Sequence, residues 1–300
     1  MPVIGFLNSA LQLGFTTLLG NFRGGLAEEG FRDGDNVEIR SSYADGNYGT
    51  LDNLASDLVK AGVDIIAPTG GFVSAQAAAR ATSTIPVLFI AGCRPDVLQF
   101  VSPPGLKGPP ANSTGVALCG TESLWPRLSH FRELMGSRGA NKFAVLVRPG
   151  TDISVREVDQ ARAAYLTVVE ATTEDDLRKA FAAVVTQKLD GLLVSADPFF
   201  TSQRNLIVAL ASQYKLPVAY PWREYTDIGG LMSCGASLSD AYHRVGQYAG
   251  RILKGAKPQD RATPISVVDL CDFKLVINGK SASEFGLPIS PSLRAHSEVI

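Results

Sequence analysis

The sequence predicts an α/β protein of two lobes, each built on a doubly wound, Rossmann-like parallel sheet. Three observations predict it. One grammar, strand then glycine-bearing turn then helix, is written twice, from Val3 to Gly92 and again from Phe143 to Trp222. Its strands are continuous apolar runs, the pattern of parallel strands covered by helices on both faces. A late helical pattern and an extended tail follow the second copy, so that the helix can complete the first lobe and the tail the second.

The elements follow in order. Val3-Ile4-Gly5-Phe6-Leu7 leads to Asn8-Ser9, Asp64-Ile65-Ile66-Ala67-Pro68 to Thr69-Gly70-Gly71, and Ile85-Pro86-Val87-Leu88-Phe89-Ile90 to Ala91-Gly92. Between them, Phe15 to Gly30 and Thr50 to Ala61 carry apolar residues at helical spacing and end at Gly30 and Gly62. Pro103 to Thr114, rich in Pro, Gly, Asn and Ser, is expected to be an exposed loop, followed by a short extended segment, Gly115 to Leu118. A helix is expected from near Thr121. The second copy runs Phe143-Ala144-Val145-Leu146-Val147 to Arg148-Pro149-Gly150, Gly191-Leu192-Leu193-Val194 to Ser195-Ala196-Asp197-Pro198, and Leu216-Pro217-Val218-Ala219 to Tyr220-Pro221-Trp222. Thr172-Thr173-Glu174-Asp175-Asp176 is a helix start, with threonine caps and acidic residues favoured by the dipole. Thr201-Ser202 is expected to cap the next helix. Gly230 to Cys234 is extended, Leu238 to Lys254 is an amphipathic helix stopped by Gly255, and Val267 to Leu270 and Phe273 to Asn278 are extended again. The expected lobes are residues 1–117 with 236–266, and 118–235 with 267–300. Three crossings near Val116–Cys119, Ser233–Ser237 and Ser266–Leu270 would form a three-strand hinge. Two sheets with facing carboxyl ends make a cleft suited to a small ligand.

Composition narrows the partners. A formal net charge of −1 over 300 residues gives no electrostatic reason to expect nucleic acid or an anionic membrane. No apolar run approaches the roughly 20 residues of a membrane span, and Met1-Pro2 leads into the first strand with no visible signal peptide. Cys93, Cys119, Cys234 and Cys271 are widely spaced and no histidine lies near them, so no zinc site is expected. Buried inert thiols are the expectation, with a disulfide open in an oxidising compartment.

Several segments carry a resemblance. Ile4 to Ser9 with Phe22-Arg23-Gly24-Gly25-Leu26, Thr69-Gly70-Gly71, Asn112 to Val116, Ala196-Asp197-Pro198-Phe199-Phe200, Tyr220-Pro221-Trp222-Arg223-Glu224, Gly230 to Gly235 and Phe273 to Asn278 stand in order along nearly the whole chain. Together they resemble the ABC-transporter substrate-binding proteins, in the branch that includes tryptophan- and tyrosine-binding lipoproteins. The resemblance implies a type I periplasmic-binding fold and a non-enzymatic protein without cofactor. It further implies a monomer that closes on a small ligand, an amino acid or related carboxylate with aromatic ones included, and hands it to an ABC permease in the membrane. The implied location is periplasmic or membrane-anchored extracytoplasmic. Departures exist: Cys234 stands where the family often has Tyr, and Gly92-Cys93-Arg94-Pro95-Asp96 where it often has Asp-Pro. Glu157 to Thr167 is shorter than usual, which predicts a clipped first helix in the second lobe.

The candidate ligand residues are Asn8, Ser9, Phe15, Thr69, Gly70, Gly71, Ser74, Gly92, Cys119, Arg148, Asp197, Phe199, Tyr220, Trp222 and Cys234. Thr69 to Ser74 precedes an alanine-rich helix whose free N–H groups suit a carboxylate, and the alternative is a plain tight turn. It lacks the Gly-Lys-Ser/Thr of a phosphate loop. Asp197 fits either a partner for a ligand ammonium or a helix cap. Phe15, Phe72, Phe199, Phe200, Tyr220 and Trp222 bring aromatics to strand ends, some as cleft wall and most as core, and a rigid Trp222 is expected to stack on the ligand. Arg148 and Arg223 suit a carboxylate, or surface ion pairs. No catalytic constellation assembles: G-x-S-x-G is absent, and the histidines fall in helices and the tail. Two rival readings keep the same bilobal fold, a ligand sensor for signalling and an α/β enzyme with an interdomain site. A repressor of the sensor type would carry a DNA-binding helix-turn-helix before the first strand, where none is expected.

Overall fold

A computed structural model of the chain describes residues 1–92, 112–118, 124–136, 142–258, 268–269 and 274–300. It divides into unit 1, Met1–Cys119 with Leu238–Cys271, and unit 2, Gly120–Ser237 with Asp272–Ile300.

Unit 1 carries β1 (Val3–Asn8), β2 (Glu38–Tyr43), β3 (Ile65–Pro68), β4 (Val87–Gly92), β5 (Ser113–Leu118) and β11 (Val268–Asp269). They lie in the order β11-β5-β4-β3-β1-β2 with parallel pairings. The apolar runs become the inner strands, where Ile4, Phe6, Ile65, Ile66, Leu88 and Phe89 are fully buried. The helices are α1 (Thr16–Glu28), α2 (Leu51–Lys60), α3 (Gly71–Ala81) and α10 (Leu238–Leu253), with a 3-10 turn at Gln12–Phe15 before α1. The late helix α10 packs on α1 at backbone contact. A methyl group added at Gly246 would run into the Phe22 carbonyl oxygen, and one at Gly25 into the His243 carbonyl oxygen. Small residues here let two helices approach more closely than the 8–10 Å or so of ordinary packing.

Unit 2 carries β6 (Phe143–Val147), β7 (Thr167–Glu170), β8 (Gly191–Val194), β9 (Val218–Tyr220), β10 (Met232–Gly235), β12 (Lys274–Ile277) and β13 (Ser297–Val299). Their order is β13-β12-β10-β9-β8-β6-β7, parallel except for the antiparallel pair β10–β12 that the returning tail forms. Its helices are α4 (Leu124–Met135), α5 (Asp152–Ala163), α6 (Glu174–Thr186), α7 (Pro198–Ser202), α8 (Arg204–Gln213), α9 (Arg223–Thr226), α11 (Gly279–Glu284) and α12 (Pro291–His296). Leu124, Leu128 and Phe131 of α4 pack with Val145, Leu193, Ala219 and Cys234 of the sheet in one core.

Two local expectations change. Ser113 and Thr114 are buried residues of β5, not loop, because the strand must match the length of β4 beside it. The rest of the expected loop lies outside the described residues. Thr201 and Ser202 close the short α7, which Asp197 caps, and do not themselves cap α8: that helix, which carries Ile207, Leu210 and Ala211, begins at Arg204 with Gln203 at its N-cap and no side-chain cap. The helix that follows β6, α5, has 12 residues. The start at Thr173 is as expected: its hydroxyl accepts from Asp176 N at 3.2 Å while the Asp176 carboxylate accepts from Thr173 N at 3.1 Å, a reciprocal cap.

Candidate functional site

In a doubly wound sheet the chain leaves two neighbouring strands in opposite directions at one point, and ligands bind beyond the carboxyl ends there. In unit 1 that point lies between β1 and β3, and in unit 2 between β6 and β8. The residues leaving these strands are Asn8-Ser9 and Thr69-Gly70 in unit 1, and Arg148 and Ser195 to Asp197 in unit 2.

The unit 1 edge is a closed polar network. Asn8 Nδ2 donates to Thr69 Oγ1 (3.3 Å) and to the Tyr242 hydroxyl (3.4 Å), and Asn8 Oδ1 accepts from Ala10 N. Tyr242 in turn donates to the Thr69 carbonyl at 2.8 Å, tying α10 to the ends of β1 and β3. Ser9 Oγ donates to Gly70 O at 2.7 Å and Ser74 Oγ to the same oxygen at 3.3 Å. Asn8, Ser9, Thr69 and Ser74 are therefore brought together as expected, with these side-chain bonds spent on one another. The close approach at Gly70 is to protein: a Cβ there would collide with Ser9 N and press on Ser74 Oγ. Gly71 opens α3 at φ +76°, a conformation that glycine adopts without steric cost. Phe15 is 2% exposed and packs 6.2 Å from the Tyr242 ring, so it is core. Gly92 ends β4, one strand from the switch point, and Cys119 lies outside the described residues.

In unit 2 the Arg148 guanidinium lies 5.0 Å over the Phe199 ring, a cation–π contact across the switch point. Asp197, 1% exposed, is the cap of α7: its Oδ1 accepts from Phe199 N at 2.8 Å. Arg223 takes the ion-pair role, meeting Glu298 at 2.6 Å and Asp227 at 3.2 Å on the surface. Two further aromatics are held within unit 2. Tyr220 is fully buried and stacked on Tyr225 at 4.6 Å and 12°, so it is a core ring. Trp222 is 4% exposed, its indole N–H donates to Thr201 Oγ1 at 3.1 Å, and its ring lies near Gly235. The expected stacking plate is instead a pinned side chain, because the indole nitrogen finds its partner inside unit 2.

Sequence reasoning missed the most unusual feature of unit 2. Arg127 on α4 and Glu157 on α5 are 2% and 0% exposed, and Arg127 Nη2 stands 3.6 Å from Glu157 Oε1. That is ion-pair range but beyond hydrogen-bond reach. Neither Arg127 Nε and Nη2, nor the two Glu157 oxygens, nor Ser195 Oγ, nor the Tyr225 hydroxyl has a hydrogen-bond partner among the described residues. Burial pushes the Glu157 carboxyl up to about 7; Arg127 and Ser195 oppose that rise and the nearby Asp197 adds to it. Burial lowers the Arg127 pKa, against the pull of Glu157, Cys234 and Tyr225. Cys234, 5% exposed, is a free thiol whose pKa burial raises. No helical signal marks the pair, since Arg127 and Glu157 read as ordinary polar positions of amphipathic helices. Among the described residues no cluster could hold a metal ion, and no helix is long and apolar enough to cross a membrane.

Two doubly wound units linked by three passages of the chain make the type I periplasmic-binding fold. Comparison with known proteins agrees. The ABC transporter substrate binding protein family matches over residues 14–299, and the chain belongs to that family. It is thus a substrate-binding protein and not an enzyme. The chain is 27% identical over 259 residues to a "Tyrosine-binding protein" of Clostridioides difficile (strain R20291), covering 84% of this chain and 72% of that one. It is also similar to the crystallised ABC domain in complex with L-Trp from Streptococcus pneumonia, with TM-score 0.78 and 26% identity over 100% of this chain and 99% of that one. A conserved domain protein of Vibrio cholerae shares the fold, with TM-score 0.79 and 22% identity over 99% of both chains.

Proposed function

We propose that the protein is the solute-binding component of an ABC importer and takes an amino acid or related carboxylate, aromatic ones included, at the switch-point edges of its units. The observation that carries this reading is the family match over residues 14–299, with relatives whose names record tyrosine and L-Trp. The two edges support it physically. Unit 1 offers a rigid polar lip at the start of α3, and unit 2 offers buried charges of both signs. Ligand contact at Asn8, Ser9, Thr69, Gly70, Gly71, Ser74, Gly92, Arg148, Asp197, Phe199 and Cys234 belongs to this proposal. So do extracytoplasmic placement, a membrane permease as partner and a monomeric state.

Binding of this kind needs only that the ligand favour a closed over an open arrangement about the three passages of the chain, a hinge motion. A thermal-shift screen of amino acids, sugars and inorganic anions tests the ligand class. At a ligand concentration about 100-fold above Kd, stabilisation is about 2.7 kcal/mol. For units of this size that raises Tm by roughly 5–10 °C. L-tryptophan, L-tyrosine or a related carboxylate is expected to give such a shift. A shift with a sugar and none with any carboxylate would defeat the reading.

A further inference from the structure

We propose that Arg127 and Glu157 hold the charged end of the ligand, Arg127 its carboxylate and Glu157 its ammonium, so that the site selects free α-amino acids over their decarboxylated or deaminated analogues. The inference rests on the ligand class proposed above and adds the residues that recognise it.

The argument begins with unsatisfied chemistry. A buried ion pair is tolerable when further hydrogen bonds complete both partners, and this one lacks them. Arg127 Nε and Nη2 form one edge of the guanidinium, the edge whose two parallel N–H bonds fit a carboxylate in bidentate fashion, and both are without a partner among the described residues. Neither Glu157 oxygen has a partner at hydrogen-bond geometry among the described residues, while the Ser195 hydroxyl and the Ala196 N–H lie close enough to lower its pKa. At 3.6 Å the two opposite charges stand side by side without being locked together. An α-amino acid presents the complementary pattern, a carboxylate and an ammonium side by side on one carbon.

Position supports the same conclusion. Glu157 sits on the helix leaving β6 and interacts with Ser195 and Asp197, which leave β8, so it stands at the switch point of unit 2. Arg127 interacts with Tyr225 of α9, the helix that follows β9, and with Cys234 of β10. The Ser195 and Tyr225 hydroxyls, each at most 1% exposed and unpartnered, add two more groups able to accept or donate there.

The experiment measures binding of L-tryptophan, tryptamine and indole-3-propionate to the wild type and to Arg127→Lys and Glu157→Gln, each checked for folding by circular dichroism. The wild type is expected to bind L-tryptophan about 100-fold more tightly than either analogue, as for buried charged contacts. Arg127→Lys, which keeps the charge and loses the fork, should weaken both carboxylates about 10-fold or more and leave tryptamine nearly unchanged. Glu157→Gln should weaken L-tryptophan and tryptamine and spare indole-3-propionate. Unchanged ratios in both folded variants would overturn the inference while leaving the functional reading intact. Failure of the wild type to bind any amino acid or other carboxylate would overturn both. If neither variant folds, a crystal structure of the wild-type complex decides: the ligand carboxylate on Arg127 Nε and Nη2 supports the assignment, and a carboxylate held elsewhere ends it.

Discussion

Arg127→Met is expected to lower the free energy of unfolding by about 3–5 kcal/mol at about pH 8, because Glu157, fully buried, must then either stay charged without its partner or be protonated far above its ordinary range. Urea denaturation measures the loss. The loss should shrink as the pH falls. In the wild type the Glu157 carboxyl is pushed from 4.5 to about 7, chiefly by burial. A carboxyl raised in this way stabilises the folded chain fully below its ordinary value, and that contribution disappears as the pH rises toward 7. Removing Arg127, whose charge holds the value down, extends that window upward, so the variant keeps a neutral Glu157 to higher pH. Glu157→Gln should abolish this part of the pH dependence. A loss under about 1 kcal/mol that ignores pH would show that water reaches the pair, as it does a surface one.

Gly246→Val should cost about 3 kcal/mol, because the branched side chain must displace the Phe22 carbonyl of α1 rather than a flexible side chain. The two helices cannot separate without opening the cover of the unit 1 sheet, where Phe22, Leu26, Ala241 and Val245 are fully buried. Gly20→Ala, on the facing helix α1, is the control. Nothing lies within 4 Å of a Cβ there, so alanine should stabilise by roughly 0.5–1 kcal/mol through helix propensity alone. Denaturant midpoints that moved in the same direction for both would contradict the packing described for α1 and α10.

The sheet centres were legible in the sequence because a strand buried on both faces leaves an uninterrupted apolar run, as residues 143–147 and 65–67 do. The edge strands β2 and β7 left no such run. Glu38–Tyr43 and Thr167–Glu170 are only partly buried, and polar residues are tolerated on a side that meets water. The turns at Asn8, Thr69 and Asp197 were legible for a related reason, since each ends an apolar strand with a residue able to bond its own backbone neighbourhood. Direction was not legible. Whether Tyr220 and Trp222 face ligand or core depends on partners brought from elsewhere in the chain, Tyr225 for one and Thr201 for the other. Tyr242 escaped notice because its hydroxyl reaches Thr69 across 173 positions of sequence. Arg127 and Glu157 escaped because a charged residue in an amphipathic helix normally faces water, and only the meeting of α4 and α5 over the sheet encloses both.

Titration calorimetry of the wild-type protein with L-tryptophan and L-tyrosine tests the central claim most directly. One aromatic amino acid should bind per chain, with a negative heat-capacity change from buried apolar surface, and be recovered unchanged. No heat with any amino acid, or conversion of the ligand on long incubation, would contradict it.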